Sequence, residues 1–231
     1  VTLLARPHAA PLLTRFAPAV GHVSISAPWT AFAGKYRLHQ WPWREIFRVL
    51  RHLRSCRFDI GVSARSDPRD HLLLALAGAG QRLGFARAGS GVFLTKALTP
   101  PTRPHRAEHW SAIATALGWP PILREPASRR GRRIVVHTGA GRPVRQWPRE
   151  RFDEIASRLR ASHWEVRLLD DSLSDVADLL AMLATADRFL GNDSGPGHLA
   201  ALLGVPTFTL FGPQLSELFA PQHPQAAWID G

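Results

Sequence analysis

The fold is decided by one stretch that follows an apolar strand and opens a helix, Gly191-Asn192-Asp193-Ser194-Gly195-Pro196-Gly197-His198-Leu199-Ala200-Ala201. Glycine lets a backbone approach a ligand closely, and the first turn of a helix offers unpaired N–H donors and the positive end of the helix dipole. Such a turn at the carboxyl end of a parallel strand is suited to an anion, and a diphosphate fits it. The alternative is structural: Asp193 or Ser194 caps the helix, and the glycines only turn the chain.

Two other functional interpretations use the same residues. Gly195, Gly197 and Ala200 fit the dinucleotide pattern G-x-G-x-x-A, but the next strand ends Leu210-Phe211-Gly212-Pro213, without the acidic residue that binds a ribose. Asp193-Ser194-Gly195 is similar to the active-site stretch of trypsin-like serine hydrolases. That fold is all-β, however, and Ser194 does not stand in the G-x-S-x-G elbow of α/β-hydrolases. Both interpretations are therefore weaker than a diphosphate site.

A second glycine-rich turn also follows an apolar strand, in Ile134-Val135-Val136-His137-Thr138-Gly139-Ala140-Gly141-Arg142-Pro143-Val144-Arg145-Gln146-Trp147-Pro148. Arg142 and Arg145 lie in this turn and could reach a phosphate held at Gly195–Gly197. A cation there stabilises a departing nucleotide diphosphate. Alternatively, both arginines are solvated loop charges and Trp147 fills a core.

Short apolar runs alternate with helical patterns along the whole chain. In the first half the predicted strands are Val1–Leu4, Val23–Ser26 and Phe58–Val62, and the predicted helices are Ala9–Phe16, Pro42–Leu53, Arg69–Ala77 and Ala107–Leu117. In the second half the predicted strands are Ile134–His137, Val166–Leu169, Phe189–Gly191 and Thr207–Phe211, and the predicted helices are Pro148–Leu159, Ser174–Leu183 and His198–Leu203, with Pro148 at the first helical position. This alternation predicts an α/β protein with a parallel sheet and helices on both faces, twice over.

A polar, proline-rich stretch separates the two halves. It contains Pro120, Pro121, Pro126 and the basic run Arg129–Arg133. Proline removes backbone donors and basic runs stay solvated, so this stretch is the best linker candidate. We therefore predict an N-terminal domain at residues 1–125 and a C-terminal domain at residues 126–231.

The net charge of +11 comes almost entirely from arginine, because Lys35 and Lys96 are the only lysines. Such a charge indicates an anionic partner: a nucleic acid, an acidic membrane surface or a phosphorylated substrate. A guanidinium matches the geometry of phosphate, although a merely solvated basic surface accounts for the charge equally well. The predicted helix Pro42–Leu53 carries Arg44, Arg48 and Arg51 at helical spacing, after Trp41 and Trp43. This face suits an acidic membrane or a phosphorylated acceptor, or it is a solvated face above a core stripe.

Other features limit the class of protein. One cysteine, Cys56, excludes an internal disulfide and fits a reducing compartment. The apolar runs are too short to span a bilayer and no secretory signal is visible, so we expect a cytoplasmic protein. His105 and His109 are four residues apart but do not form H-E-x-x-H, and we expect no metal site. An aromatic and basic nucleic-acid platform is not evident, so we expect no nucleic-acid partner.

Taken together, these motifs resemble glycosyltransferase family 9, the heptosyltransferase family. The resemblance is specific in the second half and more diffuse in the first, where it rests on Phe58-Asp59-Ile60, Leu73–Ala79, Arg82-Leu83-Gly84-Phe85 and His109. In the second half it rests on His137–Gly141 leading to Trp147-Pro148, on Asn192–Ala201, on Leu203-Gly204-Val205-Pro206-Thr207 and on Leu210-Phe211-Gly212-Pro213.

The resemblance implies a GT-B fold, with two Rossmann-like domains whose parallel sheets face each other across a cleft. It implies an inverting transfer, commonly of heptose from an ADP-sugar to lipopolysaccharide core or a similar lipid-linked acceptor. The ADP-sugar would be a substrate, with no cofactor, and the acceptor would bring the protein to the inner membrane as a peripheral partner. The implied donor-binding residues are Thr138, Gly139, Ala140, Arg142, Arg145, Asp193, Ser194, Gly195, Gly197 and His198. Arg145 stands where the family usually has lysine, so the charge is kept while the hydrogen-bond geometry differs. A different nucleotide-sugar donor, or a non-catalytic sugar-nucleotide-binding relative, are the alternatives.

The sequence departs from the family pattern in three places. The family's first strand, glycine-rich turn and catalytic aspartate are expected before Val1, so the resemblance names no catalytic residue in this chain. A strand, a helix and a donor-binding glutamate are expected where Asp170-Asp171-Ser172 stands, and a C-terminal helix after Gly231. We expect these segments to be left out rather than lost, because losing an edge and an interior unit together would disrupt a parallel sheet.

Overall fold

The computed structural model describes residues 1–31, 35–119, 129–170 and 175–231, which form two compact units. Among these residues the first unit holds 1–103 and 107–119, and the second holds 104–106 and 129–231. The predicted boundary between residues 125 and 126 and the linker prolines lie outside the described residues.

The described residues of the first unit form five short strands and four α-helices. Its strands are β1 (Thr2–Ala5), β2 (Gly21–Ser24), β3 (Ile60–Ser63), β4 (Gln81–Gly84) and β5 (Lys96–Ala97). Its helices are α1 (Ala10–Phe16), α2 (Trp43–Ser55), α3 (Pro68–Leu76) and α4 (Arg106–Ala116), the last entering from the second unit at Arg106. All pairings are parallel, but they form two sheets, β1–β2 and β3–β4–β5, rather than the single sheet predicted. That prediction was wrong for this unit because β2 and β3 are not hydrogen-bonded neighbours.

The core of the first unit lies beneath the inner face of α2. Ile46, Val49 and Leu53 of this helix are buried at spacings of three and four residues. They pack in one cluster with Trp29 and Leu73. The opposite face of α2 is consequently left to solvent.

The described residues of the second unit form one five-stranded parallel sheet with four α-helices. Its strands are β6 (Arg133–His137), β7 (Glu165–Leu169), β8 (Arg188–Asn192), β9 (Thr207–Phe211) and β10 (Ala227–Asp230). Its helices are α5 (Arg149–Ala161), α6 (Val176–Ala184), α7 (Gly195–Leu202) and α8 (Ser216–Phe219). The strand order is β10-β9-β8-β6-β7. The sheet is continuous from β7 at one edge to β10 at the other, so the disruption expected from a missing strand after β7 is not seen.

Alternate residues of the central strands bury their side chains on opposite faces of this sheet. Val135 and Phe189 pack in one cluster with α6 and α7, through residues such as Leu183 and Ala200. Val136 and Leu190 pack in another cluster with Phe152 of α5. The predicted parallel sheet with helices on both faces is therefore confirmed for this unit.

Several predicted boundaries need correction. The strand Thr207–Phe211 has the predicted bounds, but α7 begins at Gly195, three residues before the predicted start. Pro148 is the N-cap of α5 rather than its first helical residue. The predicted start of the α6 helix, Ser174, lies outside the described residues. Strands β4, β5 and β10 and helix α8 were not predicted, since each is at most four residues long.

Candidate functional site

The candidate site lies at the switch point of the second sheet. From β6 the chain passes to β7 on one side, and then to β8 on the other side of β6. In open parallel sheets, ligands bind outside the carboxyl ends of the strands where the order reverses in this way. The two glycine-rich turns follow β6 and β8, which are paired neighbours with His137 opposite Gly191. The topology therefore brings together the two motifs found in the sequence.

The turn after β6 runs from a buried start to an exposed middle. Thr138 and Gly139 are buried, whereas Gly141 and Arg142 are exposed. The Thr138 hydroxyl accepts a hydrogen bond from Nη1 of Arg149 at 3.3 Å. A short 3-10 helix, Pro143–Arg145, then carries the chain back toward β8.

Asn192, the last residue of β8, ties the two turns together. Its side chain is fully buried, and its Nδ2 donates to the carbonyls of Thr138 at 2.9 Å and Gly139 at 3.3 Å. Its Oδ1 accepts from the backbone N–H of Trp147 at 3.0 Å. One side-chain amide thus fixes both ends of the arginine-containing turn. Each of these bonds also gives a backbone carbonyl or N–H group of the turn a hydrogen-bond partner.

Ser194 occupies the N-cap position of α7 but does not cap it. Its hydroxyl donates to the Asn192 carbonyl at 3.0 Å and lies 2.9 Å from Nδ1 of the buried His137. The single hydroxyl proton is used on the carbonyl, so Nδ1 of His137 acts as the donor to Ser194. This chain of donors is the reverse of a serine nucleophile activated by a histidine base, which argues against the hydrolase interpretation.

The N-terminus of α7 is left open as a consequence. Intrahelical bonds cannot satisfy the N–H groups of Gly195 and Gly197, and Pro196 has none. No acidic residue lies in the first turn. Helices α3 and α6 differ, since Asp67 and Asp175 accept from the N–H groups two residues on. The structural alternative, a capped helix, is therefore wrong for α7.

The two glycines of α7 have different surroundings. A Cβ on Gly195 would meet no atom within 4 Å, so this glycine faces open space. A Cβ on Gly197 would stand 3.3 Å from the ring of Phe189, in the core. Close ligand approach therefore concerns Gly195, and Gly197 is needed for packing of the helix on the sheet.

Arg145 reaches from the first turn to the second. Its Nη1 lies 3.4 Å from Oδ2 of Asp193, and the two side chains are 21% and 7% exposed. This separation is long for an ion pair, and the guanidinium therefore retains donors for another partner. Among the predicted site residues, Arg142 lies at the exposed N-cap of the 3-10 helix, and Ala140 lies between Gly139 and Gly141 in the same turn.

His198 lies in the first turns of α7, where one side of its imidazole faces solvent and the rest is surrounded by protein atoms. Partial burial lowers its pKa because desolvation disfavours the imidazolium; the Asp193 carboxylate opposes the shift and His105 adds to it. His198 is consequently neutral at pH 7 in the free protein.

The sequence did not single out His137, Asn192 or Arg149 as site residues. Their roles depend on contacts between β6, β8 and α5 that no local pattern reports. The position of Asn192 directly before Asp193 at a strand end was the one available signal. In the part of the chain that the structure describes, no group of three or more His, Cys, Asp or Glu side chains is placed to hold a metal ion.

None of the helices within the described ranges combines the length and the apolar character that crossing a membrane requires.

A parallel sheet covered on both faces, with a glycine-rich turn and an open helix N-terminus at its switch point, defines the second unit as Rossmann-like. Residues 172–230 match the model of glycosyltransferase family 9 (heptosyltransferase). The match lies within the second unit, and over that segment it confirms the predicted resemblance to this family.

One curated relative and two solved structures extend the comparison. Lipopolysaccharide heptosyltransferase 1 of Pseudomonas aeruginosa is 32% identical over 101 residues, covering 35% of this chain and 28% of the relative. The chain thus matches less than a third of the curated relative's length. The E. coli ADP-heptose lps heptosyltransferase II has a TM-score of 0.72 at 19% identity, covering 99% of this chain and 80% of that one. The family 9 glycosyl transferase of Veillonella parvula has a TM-score of 0.76 at 16% identity, covering 100% and 76%. These likenesses confirm the predicted GT-B fold class.

Proposed function

We propose that this chain is an inverting glycosyltransferase that moves a sugar, heptose, from an ADP-sugar to lipopolysaccharide core or a similar lipid-linked acceptor. The family match supports the reaction class. The similar proteins carry the names lipopolysaccharide heptosyltransferase and ADP-heptose lps heptosyltransferase, which support the donor and the acceptor. Such an acceptor would hold the protein at the cytoplasmic face of the inner membrane.

One observation carries the proposal: the open N-terminus of α7 beside Arg145. Backbone N–H groups at Gly195 and Gly197 and the helix dipole favour a diphosphate there, since Ser194 leaves them uncapped. Arg145 stands at the same strand ends through its contact with Asp193. Asp193, Ser194 and Gly195 would contact the diphosphate and sugar, and His198 would lie close by. Thr138, Gly139 and Ala140 would line the pocket through backbone groups, with Arg142 at its exposed side.

The chemistry follows from where charge develops. The bond between the anomeric carbon and the diphosphate oxygen breaks through an oxocarbenium-like state, and negative charge accumulates on the departing ADP. Arg145 and the α7 N-terminus stabilise that charge because they are fixed before the reaction begins. The acceptor hydroxyl bonds to the anomeric carbon from the opposite face and gives its proton to a general base. The ADP-sugar is a substrate in this scheme, and no step uses a cofactor.

Calorimetric titration with ADP, ADP-heptose, UDP, GDP and NAD tests the donor site. We expect selective binding of ADP and ADP-heptose. Asp193→Ala is expected to abolish this binding, because it removes the contact that places Arg145. Simple removal of a negative charge would instead tighten diphosphate binding, so the direction of the change is diagnostic.

Asp178→Ala is the matched control, since Asp178 is exposed on α6. Equal donor affinity of the Asp193→Ala and wild-type proteins would contradict the assignment. Preference for UDP or GDP would refute the heptose donor while leaving the fold and site in place. Binding of ADP-heptose without transfer to a lipopolysaccharide acceptor would favour a non-catalytic relative.

A further inference from the structure

An exposed stripe of arginines and aromatics runs along α2 in the first unit. Phe47 and Arg48 lie three and four residues after Arg44, and Arg51 lies four and three residues after them, so these side chains share one face. This is the face opposite the buried Ile46, Val49 and Leu53. Trp43 adjoins it at the start of the helix. We call these five exposed side chains, Trp43, Arg44, Phe47, Arg48 and Arg51, the α2 face.

The aromatic side chains of the α2 face are held in place from the core outward. The indole of buried Trp29 stands 5.4 Å from that of Trp41, which stands 5.3 Å from that of Trp43. Phe47 continues the series at 6.0 Å. The indole N–H of Trp43 donates to the Leu38 carbonyl at 2.8 Å. Trp43 and Phe47 are nevertheless 41% and 59% exposed, so ordered apolar surface faces water.

The arginines of the α2 face are available for an external anion. Among the described residues, no carboxylate lies within ion-pair distance of Arg44, Arg48 or Arg51. In α5, by contrast, Arg149, Arg151 and Arg158 pair with acids of their own helix. Glu45 accepts from the backbone N–H of Ser26 at 3.4 Å, near the end of β2. A groove of about 640 Å³ between Trp41, Trp43 and Arg48 completes the surface.

We propose that the α2 face docks the protein onto an anionic lipid bilayer. Indole rings favour the boundary between lipid headgroups and acyl chains, and a phenyl ring inserts below it. Three guanidinium groups on the same stripe lie at the height of the lipid phosphates, with their stems along the apolar surface. The apolar inner face of α2 stays in the core, so insertion is shallow and reversible. The inference stands on the α2 face alone and does not need the donor assignment.

Vesicle co-sedimentation tests the proposal, with phosphatidylcholine vesicles alone or containing phosphatidylglycerol. The intact protein is expected to bind only the anionic vesicles, less strongly as salt is raised. Each arginine near an anionic surface strengthens binding roughly fivefold, so the triple variant Arg44→Gln, Arg48→Gln, Arg51→Gln should bind on the order of a hundredfold more weakly. A control with the same net charge replaces exposed arginines elsewhere: Arg15→Gln, Arg87→Gln, Arg160→Gln.

The aromatic part of the face has its own test. Phe47→Ser should weaken binding to anionic vesicles even at high salt, whereas Val92→Ser, at a residue 82% exposed elsewhere in the unit, should not. The proposal is overturned if the control triple variant loses as much binding as the α2 variant, or if the intact protein ignores anionic vesicles. Dimerisation or oligonucleotide binding that depends on the same arginines, without vesicle binding, also overturns it. ADP titration of each protein separates the two proposals. Lost vesicle binding with retained ADP binding in the α2 variants supports the docking surface, whereas an intact protein that binds ADP but ignores anionic vesicles refutes the docking surface alone.

Discussion

The side-chain amide of Asn192 donates to the Thr138 carbonyl across 2.9 Å and so joins the end of β8 to the turn after β6. The same side chain accepts from the Trp147 N–H at 3.0 Å. Because the amide is fully buried, water cannot replace it as a partner. The arginine-containing turn is therefore held at both ends by a residue outside it.

Asn192→Ala is expected to destabilise the protein by about 3 kcal/mol, because it leaves buried carbonyls and an N–H group without a partner. Urea unfolding followed by far-ultraviolet circular dichroism measures the loss. Gln146→Ala is the control, since Gln146 donates to the Ala140 carbonyl of the same turn from an exposed position. That variant should stay within about 0.5 kcal/mol of wild type. Similar losses for the two variants would show that burial of Asn192 does not matter.

Gly195→Ala separates folding from ligand binding. The new methyl group would meet no protein atom within 4 Å, and alanine favours a helix over glycine by up to about 1 kcal/mol. The variant should therefore fold at least as stably as wild type, yet bind ADP at least about tenfold more weakly, since a methyl group would obstruct close approach of a phosphate. Titration calorimetry gives the affinity. Unimpaired ADP binding would place the diphosphate elsewhere.

Arg145 should be replaceable by lysine but not by a neutral residue. Arg145→Gln is expected to lower ADP affinity by about ten- to a hundredfold, because a charge-assisted contact is removed from a site that is largely shielded from water. Arg145→Lys keeps the charge and should lose only a few-fold, through its different donor geometry. Arg160→Gln, at an exposed position of α5, controls for net charge. Equal losses in the Lys and Gln variants would indicate that the guanidinium geometry, rather than its charge, is required.

His198 should make stability depend on pH. Partial burial lowers its pKa in the folded state below the ordinary 6.5, so the unfolded chain binds more protons as the pH falls below 6.5. The free energy of unfolding should therefore decrease from pH 7 toward pH 5. In His198→Gln the free energy of unfolding should change less steeply with pH. Some dependence on pH should remain, because burial also lowers the pKa of His223. Urea titrations across this range test it, with exposed His39→Gln as control. If the free energy of unfolding of His198→Gln depended on pH as steeply as that of wild type, His198 would not be the source of the pH dependence.

The sequence predicted those parts of the fold that local patterns encode. The strand Thr207–Phe211 is a run of apolar and β-branched residues, and its bounds were predicted correctly. The start of α7 was placed too late, because glycine and proline have low helix propensity even though the first turn tolerates both. Strand β10 is exposed along its whole length and pairs only with β9, so no buried pattern marked it.

The candidate site was predicted in outline only. Glycine-rich turns after two strands indicated an anion site. The pairing of β6 with β8, which brings the two turns together, is a tertiary contact that the local sequence does not reveal. Serine is a common N-cap residue, so the sequence suggested that Ser194 caps α7. The structure shows instead that its hydroxyl bonds to His137 and to the Asn192 carbonyl. The donor-binding roles of the predicted residues stay predictions for the experiments above.

The row of indoles that leads from the core to α2 gives the first unit an optical signature. The rings of Trp29, Trp41 and Trp43 lie within 5.4 Å of their neighbours and are tilted by 42° and 33°. Transition dipoles at such distances and angles couple, so the native protein should show a chiral exciton band that disappears when this row separates. The band reports only on the first unit. Comparing its midpoint with that of the far-ultraviolet signal during denaturation would show whether the two units melt together or in sequence.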